Sequence, residues 1–326
     1  MAPRLCLLVA AAWTGWAAVQ ATDYCKISPE HTMCKYPGIG PACGTQVLAR
    51  EVSSEEADFI VELHNKLRSK VARGEETRGA PGPQPSGANI RALAWDEELA
   101  TVAQRHADQC IFEHDCNDCR SVDRFNVGQN IYILKSWGLL QEKPDWNGAV
   151  ISFYDEVDKF PGSGVGSYQF STDTGHYTQL LWGTTSLVGC GYTKFKVGNV
   201  IKALYVCNYG PIGNIMSFPM YREGDPCSAC PEGTTCSQEY EGLCEGNVVV
   251  ESTWSDLQPS VTAGFFRNSN NNPQKTVTLH SEGFTMVYEY PRSLVTAPMS
   301  EPTSAPTPTT PPPATENNGA ADADAE

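Results

Sequence analysis

The sequence predicts an α+β fold stapled by disulfides, and three observations carry that expectation. Apolar residues recur at helical spacing in three separate stretches. Gly198-Asn199, a two-residue hairpin signal, lies between the strand-like runs Tyr192 to Lys196 and Val200 to Tyr209. Thirteen cysteines occur, and setting aside Cys6 in an N-terminal leader leaves twelve, an even number that suits up to six bridges in an oxidising compartment.

The chain opens with Arg4, an apolar run from Leu5 to Ala12, and Val19-Gln20-Ala21 as a small-residue cleavage site. Residues 1–21 therefore read as a secretory signal peptide. Thr14 and Gly15 interrupt the run, which is too short for a membrane anchor. Residues 22–50 form a Cys-rich lead with Cys25, Cys34 and Cys43, and residues 51–222 form the main domain. Its first helix begins at Ser53-Ser54-Glu55-Glu56, a capping box, followed by the apolar stripe of Phe59, Ile60, Leu63, Leu67 and Val71. A second helix starts near Asp96 and places Leu99, Val102, Ala103, His106, Ala107 and Cys110 along one side. A third runs from about Trp146 to Phe160 with Val150, Phe153, Val157 and Phe160 inward.

Residues 223–246 hold Cys227, Cys230, Cys236 and Cys244. Residues 247–291 alternate apolar and polar side chains as a few strands would. From 292 to 326 the chain turns to Pro, Thr, Ser and Ala with terminal acids, which predicts a disordered tail open to O-glycosylation. No internal repeat is visible. Net charge is −15 over 326 residues, with a pI near 4.8, which argues against nucleic acid as a partner. No N-glycosylation sequon occurs.

The two most distinctive stretches are Gly175-His176-Tyr177-Thr178-Gln179-Leu180-Leu181-Trp182 and Tyr205-Val206-Cys207-Asn208-Tyr209-Gly210-Pro211-Ile212-Gly213-Asn214. They resemble the two signature blocks of the CAP superfamily of cysteine-rich secretory, antigen-five and pathogenesis-related proteins. His64-Asn65-Lys66-Leu67-Arg68, Glu76-Thr77-Arg78-Gly79 and Pro81-Gly82-Pro83-Gln84-Pro85 are similar to arthropod venom allergens of the antigen-five branch. The resemblance spans about Asp23 to Asn214. It implies an α-β-α sandwich with a central antiparallel sheet.

The resemblance also implies a cleft of two histidines and two acids. His114 and His176 match the histidines, and Glu156 matches one acid. Gln129, in Gly128-Gln129-Asn130, stands where relatives usually carry the second acid. His114, Glu156 and His176 are therefore the candidate metal ligands, with Gln129 in the cleft and Zn²⁺ as the metal, weakly held. A polar cleft that merely fixes the fold stands beside that reading, and both stand ahead of catalysis. Ser152 has nothing to mark it as a nucleophile. Of the other histidines, His64 and His106 read as core or edge residues, and neither His31 nor His280 shows a partner.

Disulfide pairings carried over from the resemblance are Cys25 with Cys34 and Cys43 with Cys110, with Cys116 on Cys119 by the same comparison. Cys190 and Cys207 pair as neighbours across the hairpin. Pairing within Cys227, Cys230, Cys236 and Cys244 stays open. This group resembles the hinge of several family members, and no cysteine follows Cys244, which weakens an ion-channel role. The functional expectation is a secreted, extracellular, non-catalytic, monomeric allergen-like protein. Its partner would be a lipid or sterol, or a host or endogenous protein. A metal-assisted hydrolase or protease is the alternative.

Overall fold

The computed structural model describes residues 22–246 except 45 and 139, and three strands at 264–267, 273–281 and 284–289. The leader, the tail and the stretch from 247 to 263 lie outside the described residues. The helices are α1 (Tyr24–Ile27), α2 (Thr32–Lys35), α3 (Ser54–Ala72), α4 (Glu97–Ala107), α5 (Asn117–Arg120), α6 (Trp146–Tyr154) and α7 (Gly175–Leu181). The strands are β1 (Gln46–Arg50), β2 (Ala94–Trp95), β3 (Gly128–Ser136), β4 (Leu187–Val197), β5 (Val200–Gly210), β6 (Thr235–Cys236) and β7 (Cys244–Glu245). A separate unit, residues 253–326, holds β8 (Gly264–Arg267), β9 (Pro273–Ser281) and β10 (Phe284–Glu289) as an antiparallel sheet in the order β10-β9-β8.

Local signals set the helix starts. Ser53 caps α3 through the Glu56 amide, and the Glu56 carboxylate accepts from the Ser53 amide, closing the box. Asp96 caps α4 by accepting from Leu99 N at 2.9 Å. The third helical stretch departs from the sequence reading. It is α-helical only to Tyr154, and Asp155–Lys159 tightens into a 3₁₀ turn that carries Glu156. Strands β1, β2 and β3 were not read from the sequence at all.

The main sheet runs β1-β4-β5-β3, with β2 pairing parallel to β4. The β4–β5 hairpin turns at Gly198, which takes φ +59°, with Val197 opposite Val200. Strand alternation builds two cores. Tyr205, Cys207 and Tyr209 of β5 join the side chains of α3, α6 and α7, whereas Leu204 and Val206 face Ala103 and Ala107 of α4. Helices therefore cover both faces of an antiparallel sheet, an α-β-α sandwich.

Gly189 and Gly191 make the α4 layer possible. A Cβ on Gly189 would meet Ala100 N at 2.3 Å, and one on Gly191 would meet Gln104 N at the same distance. Disulfides join Cys25–Cys34, Cys43–Cys110, Cys116–Cys119, Cys190–Cys207, Cys227–Cys236 and Cys230–Cys244. Both Cys-x-x-Cys pairs are thus oxidised. The Cys-rich segment docks on the domain where Ala92 N donates to Cys244 O and Cys244 N to Ile90 O, at 2.9 and 2.8 Å.

Candidate functional site

His176 is the second residue of α7, in the first turn, where the amides lack helical partners. Glu156 supplies them. Its Oε2 accepts from His176 N at 2.8 Å and Tyr177 N at 3.2 Å, while its Oε1 lies 2.7 Å from His176 Nδ1. An ionised carboxylate only accepts, so Nδ1 carries a proton, and the tautomer this selects for the neutral ring leaves the lone pair on Nε2. Phe153 supports the imidazole with ring centroids 5.1 Å apart. From behind, Asn130 Nδ2 donates to His176 O at 2.9 Å.

His114 is held by a chain of amides. Leu99 O, a pure acceptor, faces Asn208 Nδ2 at 3.5 Å, so Asn208 Oδ1 points to Gln129 Nε2, 3.2 Å away. Gln129 Oε1 is then left for His114 Nδ1, at 2.9 Å. The acceptor again puts the proton on Nδ1. His114 lies at the exposed surface, yet desolvation by the surrounding protein lowers its pKa, and nearby Arg120 and His176 oppose its protonation further. Arg120 also anchors the loop, donating to Val127 O at 2.9 Å and to Asp115 Oδ1 at 2.7 Å.

The structure thus joins His176 to Glu156 and His114 to Gln129, with His176 near enough to oppose protonation of His114 and both Nε2 atoms unpartnered among the described residues. Glu156 stands behind His176 and orients it, as carboxylates do behind metal-bound histidines. Among the described residues, one trio of His, Cys, Asp or Glu has ligand atoms within 4.8 Å of one another: Cys227, Cys230 and Cys244. All three sulfurs are in disulfides and offer no thiolate. The two Nε2 atoms, without a third protein ligand, form a donor set that fits only a weakly held ion.

Comparison with known proteins decides the family. The profile for CAP, the cysteine-rich secretory protein family, matches residues 61–209. Venom allergen 3 of Solenopsis invicta is 42% identical to this chain over 62% of its length and 89% of the allergen's. The chain belongs to the CAP family. Another CAP relative, CRISP/Allergen/PR-1 of Trittame loki, is 44% identical over 69% of this chain, and the chain spans about half (55%) of that protein's length. The solved structure of BmVAL-1, 25% identical, covers 62% of this chain and all of its own, with a TM-score of 0.51.

Several residues escaped the sequence reading. Asn130 and Asn208 sit in the quoted motifs, but their roles as amide struts depend on partners across the sheet. His31 corrects the expectation that it lacks a partner. It is fully buried, caps α2 by accepting from Met33 N at 3.1 Å, and faces Ser121 O at 2.9 Å through Nε2. His280 lies in β9, its side chain outside the described residues. His64 and His106 are buried, His64 between Ile60 O and Tyr209 Oη and His106 against Glu113 O.

Proposed function

We propose that this chain is a secreted, non-catalytic CAP-family binding protein, allergen-like, acting as a monomer on a small lipid or sterol or on a target protein. Its cleft takes a divalent metal such as Zn²⁺ weakly, through His114 and His176, with Glu156 and Gln129 fixing their tautomers. When bound, the ion supplies a Lewis acid. The observation that carries the non-catalytic reading is the threefold engagement of Glu156. Hydrolysis needs a base free to take a proton from water, and the amide of Gln129 exchanges none at neutral pH. Ser152 Oγ donates to Ala149 O at 2.7 Å and has no base beside it. No helix among the described residues is long and apolar enough to cross a membrane.

Titration calorimetry with ZnCl₂ tests the cleft. Weak, reversible binding is expected, lost in His176→Ala and in His114→Ala; a silent titration would make the cleft structural only. Peptide hydrolysis assayed with and without chelator tests the rest. Cleavage that tracks with the unaltered chain and vanishes in Glu156→Gln would establish the hydrolase instead.

A further inference from the structure

A cavity of about 780 Å³ lies where the Cys-rich segment meets α3, apart from the histidine cleft. Arg91, Trp95, Leu187 and Tyr240 are among its lining, and Asp58, Glu62, Glu239 and Glu245 line it as exposed groups. The cavity is a built feature. Glu239, Tyr240 and Glu245 reach it only because β7 is hydrogen-bonded to the 90–92 backbone and pinned by the Cys230–Cys244 bridge.

Arg91 is the unusual member. It is 9% exposed, and its guanidinium has neither a carboxylate nor a hydrogen-bond partner among the described residues. Its Nε is wholly buried and unsatisfied. Next to it Arg68 is also buried, but four carbonyls hold it, those of Arg91, Leu180, Trp182 and Thr185. Two cations thus adjoin, Arg68 wholly buried and Arg91 buried as far as its Nε, with no carboxylate hydrogen-bonded to either. An unpaired buried guanidinium destabilises the fold, and such groups mark places where a ligand completes the charge balance. The exposed acids oppose a plain anion. Lys66 neutralises only Glu62 among the four, at 2.5 Å.

We propose that this cavity binds an organic zwitterion, with its carboxylate on Arg91, its apolar body against Trp95, Leu187 and Tyr240, and its cationic end among the exposed acids. A planar guanidinium suits a carboxylate through paired N–H donors. The apolar side chains beside Arg91 lower the local dielectric and strengthen that pairing. Both a free amphipathic amino acid and the carboxyl end of a peptide with a basic side chain have this chemistry.

Calorimetry on the full chain tests it with two probes, 8-aminooctanoate and acetyl-Phe-Lys with a free carboxyl group, each against its carboxamide. Each carboxylate should bind at least tenfold more tightly than its amide, and the tighter probe names the source. Octanoate, lacking the amine, should bind more weakly than 8-aminooctanoate. Arg91→Met should erase the preference for the acid while leaving the melting temperature unchanged or higher, because an unpaired buried charge is removed. His176→Ala should leave the preference intact, which separates this site from the cleft. Equal binding of acid and amide to the unaltered chain, or no binding of either, overturns the proposal, as does a preference that survives in folded Arg91→Met.

Discussion

His64 and His114 show how placement sets the behaviour of one residue type. His64 is fully buried, its Nδ1–H donates to Ile60 O at 2.7 Å, and its Nε2 accepts from Tyr209 Oη at 3.0 Å. Desolvation pushes its pKa down from 6.5 to about 4. Between those values the unfolded chain binds the proton and the folded one does not. The contribution is therefore complete above pH 6.5 and falls by about 3 kcal/mol as pH drops to 4. Urea unfolding at pH 7, 5.5 and 4 should show the decline, and His64→Gln should flatten it in that window. His114 differs because its Nδ1 partner is an amide. Replacing that amide in Gln129→Glu puts a carboxylate behind the imidazole and should tighten zinc binding about tenfold, read by competition with a chromogenic chelator. Unchanged affinity would mean that the strut does not tune the ring.

At the scale of elements, close approach of α4 to the sheet is set by what β4 lacks. Gly191→Ala should destabilise by about 2–3 kcal/mol, because its new Cβ would meet the backbone of Gln104 at 2.3–2.4 Å and the whole helix must lift. A urea midpoint within error of the parent would refute this. The loop after α3 depends instead on charge. Glu76 has no exposed surface, and its carboxylate accepts from Lys70 at 2.8 Å, from Arg78 and from Tyr154 Oη at 2.7 Å. Burial alone would raise its pKa, but the hydrogen bonds from Arg78 and Lys70 outweigh it and bring the value to about 2. Glu76→Gln leaves two cations facing an amide and should lower stability by about 3 kcal/mol, measured by thermal or urea unfolding.

For the whole molecule, the covalent framework ties the lead to the sandwich. Cys43–Cys110 closes a separation of 67 residues, joining the stretch before β1 to the end of α4. The longer the loop closed, the more the unfolded chain is restrained. Removing this bridge as the double Cys→Ala variant should therefore lower stability by about 4 kcal/mol. The nine-residue Cys25–Cys34 loop should contribute less. Comparing the two double variants in guanidinium tests that ordering, and the reverse order would show that strain or local packing dominates.

Short-range and covalent signals made much of this protein legible in its sequence. The Ser53 and Asp96 caps, the Gly198 turn, the cysteine count and the signature blocks each depend on residues within a few positions, and they point to the family and the sandwich. Strand β3 was hidden because its first four residues are all buried, and a strand covered on both faces shows no alternation. The candidate ligands were nameable from motifs, but not the division of labour in which Glu156 caps α7 and orients His176. Nor could sequence show that His31 is buried, or that Arg91 lines a cavity with no carboxylate paired to it. Those facts depend on groups distant in the chain, such as His31 with Ser121, 90 residues apart, or Ser69 with the Glu241 carbonyl, 172 apart. Contacts of that kind exist only once the sheet has assembled and the Cys-rich segment has docked, so only the tertiary structure decided them.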